Sequence, residues 1–169
     1  YLCKVGEYWW LNPAYPEVRR LVADGVAEIL AQYHVDGIHL DDYFYPTTET
    51  AFDAAAFADA KADDLGAFRL EQVNAMVQQI YSTVKAASPA IQLSISPQGT
   101  MDGNYTKQYA DVRRWGTETG YCDVLIPQLY YGFANETAPF AETLQTWTET
   151  VSSESVSLVI GIGTHKCGK

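Results

Sequence analysis

Between Pro16 and Ile162 the hydrophobic period of the sequence switches from helical to extended and back four times, a rhythm that few folds accommodate. Pro16 to Tyr33 places Val18, Leu21, Val22, Val26, Ile29 and Leu30 at helical spacing, with Glu17 near the start where the helix dipole favours an anion. A short apolar strand, Gly37 to Leu40, follows, and then an acidic, alanine-rich loop holding Asp53, Asp59, Asp63 and Asp64. A second helix is predicted from about Phe68 to Ala87, stopped by Ser88-Pro89, and a strand from Ile91 to Ser96. Tyr105 to Thr119 reads as helix, Val124 to Leu129 as strand, Phe140 to Val151 as helix and Val156 to Ile162 as strand.

Strands rich in Ile, Leu and Val that alternate with helices imply an α/β fold whose parallel sheet is buried on both faces. An open nucleotide-binding sheet would carry a glycine-rich turn between strand and helix, and Gly161-Ile162-Gly163 has no helix after it. A TIM-type (β/α) barrel is therefore expected. A complete one takes about 250 residues. Four repeats in 169 residues point to one partial barrel domain over residues 1–169. Its open sheet edges would invite self-association, and the fragment alone is expected to have little or no activity.

In a parallel barrel the loops after the strand C-termini build the active site. The strands here end in Asp41-Asp42-Tyr43, Ser96-Pro97-Gln98, Gln128-Leu129-Tyr130-Tyr131 and Thr164-His165-Lys166. Alternation along Gly37-Ile38-His39-Leu40-Asp41 sends Ile38 and Leu40 toward the helices and His39 and Asp41 inward, with Asp42 at the rim. An Asp at a strand end often only caps a turn. Two adjacent ones beside an inward His and two tyrosines point instead to a functional cluster.

Glycosidic cleavage commonly uses two carboxyl groups, so Asp41 and Asp42 are the candidate catalytic pair. Side chains of strand neighbours diverge and cannot easily flank a bond. One could protonate the leaving oxygen while the other orients a substrate acetamido group; if Asp41 is instead the nucleophile, its acid partner lies outside this chain. His39, Tyr43, Tyr45, Trp10, Asn12, Gln98, Gln128, Tyr130, Tyr131 and His165 are the candidate substrate-binding residues, the aromatic ones by stacking on sugar rings. Asp36 and Asp123 precede their strands and belong to the stabilising end.

Twenty-two aromatic residues, 13% of the chain, fit a carbohydrate partner, an oligo- or polysaccharide. A formal charge of −10 leaves no basic patch for nucleic acid. No apolar run reaches the roughly 18 to 20 residues of a membrane span. Cys3, Cys122 and Cys167 form neither a disulfide framework nor a zinc pattern. His39, Asp41, Asp42 and His165 match no established ligand spacing, so no metal and no other cofactor is expected.

Trp10-Leu11-Asn12-Pro13-Ala14, Pro16-Glu17-Val18-Arg19 and Val35 to Pro46 carry a specific likeness, continued by Val73-Asn74, Ile95-Ser96-Pro97-Gln98-Gly99 and Ile126-Pro127-Gln128-Leu129-Tyr130. In this order the runs resemble the bacterial glycosyl-hydrolase-like family ten. The resemblance implies a TIM-like barrel acting on glycans, in bacterial proteins often secreted or surface-attached, with this chain covering about the third or fourth to the seventh strand. Gly37 to Asp41 is also similar to the fourth-strand motif of alpha-amylase-type barrels, whose nucleophile would fall on Asp41. The family's paired arginines reduce here to Arg69, a loop or substrate anchor. A glycoside hydrolase of bacterial, plant or host glycans is the expectation; a carbohydrate-binding or degenerate barrel without catalysis is the alternative.

Overall fold

A computed structural model describes residues 1–42 and 44–166. The chain begins with an antiparallel hairpin, β1 (Leu2–Val5) and β2 (Tyr8–Leu11), which turns at Gly6 with φ +61°. The run Tyr8-Trp9-Trp10-Leu11 is apolar at every position, so no alternation marks it as a strand. Helix α1 (Pro16–Gln32) then leads to β3 (Gly37–Leu40). The segment after β3 is not the plain loop expected. It contains a 3-10 turn at Thr50–Phe52 and a short helix α2 (Ala54–Ala60). Helix α3 (Leu65–Ala87) starts three residues earlier than predicted, because the Asp64 carboxylate accepts the Ala67 N–H at 2.8 Å and caps it.

After β4 (Gln92–Ile95) the predicted single helix is two, α4 (Met101–Lys107) and α5 (Val112–Thr117). Tyr109, with φ +53°, breaks it, and Asp111 caps the second piece through the Arg114 N–H. The predicted strand over 124–129 divides into β5 (Val124–Leu125) and β6 (Gln128–Leu129), with Pro127, which has no N–H to give a ladder, between them. Helix α6 (Phe140–Thr150) follows. The last predicted strand then divides in step with its neighbour into β7 (Ser157–Leu158) and β8 (Gly161–Ile162): the Val159 N–H goes to Leu125 O and the Gly161 N–H to Pro127 O.

The main sheet is parallel and takes its strands in sequence order, β3-β4-β5-β7, with β6-β8 continuing the outer pair. Helices α1 and α3 cover one face, where Val26, Ile80, Val84 and Leu93 pack with Ile38 and Leu40. Burial on both faces does not hold for β3 and β4. The opposite face carries His39, exposed and joined to the Ser94 hydroxyl at 2.8 Å, with no apolar residue between them.

The larger core gathers Val73, Val77, Ile95, Leu125 and Leu129 around two fully buried tryptophans. Trp147 Nε1 donates to Gly99 O and Trp115 Nε1 to Asn74 Oδ1, each at 2.7 Å. Cys3 and Cys122 are free thiols, and burial pushes Cys122 up to about 12, so it stays protonated; Cys167 lies outside the described residues. Among the described residues no helix is long and apolar enough to cross a membrane.

Candidate active site

Strand β3 ends where its ladder with β4 closes, at the Ser96 N–H to Leu40 O bond of 2.8 Å, and the next two residues are Asp41 and Asp42. The Asp42 N–H turns back onto Asp41 Oδ1 at 3.0 Å. Asp41 Oδ1 also accepts Gln128 Nε2 at 2.7 Å, and the same amide nitrogen reaches Ser96 O at 3.2 Å. Gln128 therefore spans the end of β4 and ties β6 to the acidic pair.

Asp42 is half-buried. Burial first, and then the adjacent Asp41, push its carboxyl above the usual carboxylate range; hydrogen bonds from the Gln108 and Gln128 amides act against both. The pair borders a cleft of about 480 Å³ whose other walls include Trp9, Trp10, His39 and Phe44. A raised carboxyl beside a second, hydrogen-bonded one in a cleft with aromatic walls is equipped to give a proton to a leaving oxygen.

The raised Asp42 also bears on stability. A carboxyl that holds its proton more tightly folded than unfolded favours the fold below the unfolded value, and loses that contribution as pH rises through the folded value. Asp42→Asn removes the ionisation and should therefore raise the melting temperature at pH 7. The gain should vanish at pH 3, where both carboxyl forms are protonated; an equal shift at the two pH values would reject the burial argument.

The structure brings Asp41, Asp42, His39 and Trp10 to this cleft, and Gln128 to Asp41 beside it. Trp10 is half-buried against the core, while Trp9, absent from the sequence-based set, stands 67% exposed at the cleft edge. Trp9 carries the same aromatic signal as its neighbour Trp10, and both rings line the cleft. Gln108 was also missed, for it bears on the Asp42 carboxyl from a helix end 66 positions away with no local pattern to mark it.

Two expected substrate contacts are corrected. Asn12 is fully buried, with Nδ2 donating to Phe52 O at 3.0 Å and Oδ1 accepting the Ala14 N–H at 2.9 Å, so it fastens the hairpin to the loop. Tyr45 is buried too, and its hydroxyl donates to Asp53 Oδ2 at 2.9 Å. Burial and then the Asp53 charge push its phenol up, keeping it a donor. Arg69 proves to be a loop anchor: it pairs with Asp53 at 2.6 Å and donates to Thr48 O and Glu49 O. Tyr43 lies outside the described residues.

The remaining candidates gather elsewhere. Gln98 pairs its backbone with the buried Asn104 side chain, and its own Oε1 lies near Gly103 of α4. Tyr130 and His165 meet edge to face at 5.7 Å beside a second cleft of about 330 Å³, which Tyr131 and Phe133 also line. A cavity of about 550 Å³ between α4 and α6 is larger but holds neither acidic residue of the pair. Asp123, excluded from the site, accepts the Leu93 N–H at 2.7 Å and pairs with Lys85 at the opposite end of the sheet. Among the described residues no three His, Cys, Asp or Glu side chains converge as a metal centre requires.

Residues 1–169 match the family model described as Glycosyl hydrolase-like 10. The protein named glycosyl hydrolase YngK of Bacillus subtilis (strain 168) is 31% identical, over 95% of this chain and 36% of its own length. The protein named glycosyl hydrolase DigH of Escherichia coli (strain K12) is 28% identical, over 97% of this chain and 41% of its own. The chain thus spans about two fifths of the length of the curated relatives it matches.

Proposed function

Because the chain belongs to the glycosyl hydrolase-like 10 family, we propose that it carries the acidic pair of a glycoside hydrolase, with Asp42 as proton donor. The observation that carries this reading is the unequal surroundings of the pair: Asp42 is half-buried and raised, while Asp41 Oδ1 is fixed by two N–H donors. Asp42 gives its proton to the glycosidic oxygen. Asp41 presents its other oxygen, Oδ2, to the developing positive charge at the sugar or to an acetamido N–H.

Two carboxyl groups linked through one backbone N–H cannot flank a sugar ring from opposite faces. The substrate-assisted route therefore suits a reaction run by this pair alone. Trp9 and Trp10 offer ring faces for sugar stacking. Sequential parallel order, helices on one face and a polar opposite face support placing this sheet as a sector of a (β/α) barrel, with the cleft at its C-terminal rim.

The test is release of reducing ends from chitin oligosaccharides, which carry acetamido groups, and from xylan and starch, which do not. The 169 residues are assayed alone and within a chain of the relatives' length. Cleavage confined to chitin oligosaccharides, and reduced about 10² to 10⁴-fold by either Asp41→Asn or Asp42→Asn, is expected. Unchanged rates in both variants would reject the assignment. Glycan binding without any product would favour a non-catalytic carbohydrate-binding role, a reading supported by the lack of an opposed third carboxyl group at the cleft among the described residues.

A further inference from the structure

Strand β6 is only two residues long, yet its first residue carries the amide that reaches Asp41. Its backbone is gripped from both sides. On one side the Gln128 N–H donates to Pro97 O at 3.0 Å, and Gln128 forms a parallel bridge with Gln98. On the other, Gln128 stands in register with Gly161 of β8, whose N–H donates to Pro127 O at 3.0 Å.

A glycine closes each flank. A Cβ at Gly99 would lie 2.5 Å from Gln128 O and 2.6 Å from the Tyr131 ring, closer than side-chain carbons come. A Cβ at Gly161 would lie 3.1 Å from Pro127 O and 3.6 Å from Gln128 Cα, which is tight. Neither glycine has a positive φ, so what each supplies is room for one backbone to approach another. The loop at Gly99 cannot retreat freely either, for this residue is buried and its carbonyl accepts the Trp147 indole N–H at 2.7 Å.

We propose that Gly99 and Gly161 are positioning residues: the room they leave lets β6 settle between the end of β4 and β8, and so sets the Gln128 amide against the Asp41 carboxylate. Neither glycine lines the cleft, so both act through Gln128. The catalytic meaning of this rests on the reading of Asp41 and Asp42 as the reacting pair. The geometry stands without it.

Gln128 Nε2 donates to Asp41 Oδ1 at 2.7 Å and to Ser96 O at 3.2 Å, so the side chain is held at its far end by the end of β3 and by β4. Relieving the Gly99 contact alone asks β6 to move by about 0.5 Å, which is the tolerance of a working site. Were the glycines there only to pack the sheet, a methyl at either would loosen the fold without singling out Gln128. A tether predicts a local release instead.

The experiment follows the Gln128 side-chain amide by nitrogen-15 NMR in the full 169-residue chain. Asp41→Ala removes the acceptor and fixes the position of a released amide. Gly99→Ala should shift the resonance toward that position, and Gly161→Ala should shift it the same way by less, since its contact is the looser one. Three controls should leave it in place. Gly25→Ala adds the same methyl in α1 where a Cβ meets nothing, and Val84→Ala truncates the separate α1–α3 core and lowers the melting temperature. Tyr131→Leu removes the ring that Gly99 also seats.

A folded Gly99→Ala variant whose amide keeps its native position refutes the proposal. If Gly99→Ala does not fold, Gly161→Ala decides, and an unmoved amide there refutes it as well. A shift after Val84→Ala as large as that after Gly161→Ala would reduce the effect to general loosening, and release after Tyr131→Leu would assign it to the ring; either overturns it. Failure to cleave any glycan would sink the hydrolase reading alone, since the amide is followed without substrate.

Discussion

Arg69→Met should destabilise the fold by about 3–5 kcal/mol, the usual loss when one partner of a buried ion pair is removed. Both side chains of the Arg69–Asp53 pair are fully buried, so no solvent screening moderates the loss. Among the described residues Asp53 would keep only the Tyr45 hydroxyl, at 2.9 Å, as a donor to a charge shut away from water. Two loop carbonyls, of Thr48 and Glu49, would lose their donor as well. Chemical unfolding of the single variant and of Arg69→Met/Asp53→Asn separates the causes. The double variant has no stranded charge and should recover much of the loss, because replacing both members of a buried pair is often close to neutral. A single-variant loss below about 1 kcal/mol is the range of exposed pairs and would contradict the burial.

Trp115→Ala should cost a similar amount, about 3–5 kcal/mol, through the cavity left by a fully buried indole. The loss has a polar component. Asn74 Oδ1 accepts the indole N–H at 2.7 Å, and Asn74 Nδ2 has no partner among the described residues, so the truncation strands the whole amide there. Trp115→Phe refills most of the space and should retain the packing with Phe44, whose ring meets the indole edge at 5.3 Å. The difference between the Ala and Phe variants in chemical unfolding measures the cavity. What remains in the Phe variant measures the stranded amide. Phe44 sits two residues past Asp42, so the Ala variant should also loosen the cleft wall that Phe44 forms.

Strand β3 and the acidic pair were legible because the alternation of Ile38, His39, Leu40 and Asp41 is a local property that the parallel ladder preserves. Helices α1 and α6 were legible to within a residue for the same reason, since one apolar face repeats along each. The division of β5 from β6 could have been read from Pro127, and the start of α5 from Asp111, because each acts on its own neighbours. Tyr45, Asn12 and Asp53 were different. Their polar groups mark binding sites and buried networks equally well, and only the tertiary fold decides which. Gln128 was read as a substrate ligand on the strength of its strand end, and what it touches in the structure is Asp41.

The bond between Asp41 and Gln128 joins residues 87 positions apart. At the roughly 5 to 20 residues per second of synthesis, the two aspartates leave the ribosome about 4 to 17 s before the amide that holds one of them exists. Strand β4 and its helices come out in between, so the first three strands can dock in order while the acidic pair is still untethered. Three of the four strands of the main sheet, β3, β4 and β5, thus precede the tether. A nascent chain stalled anywhere between Asp41 and Gln128 would carry the carboxyl pair without that tether.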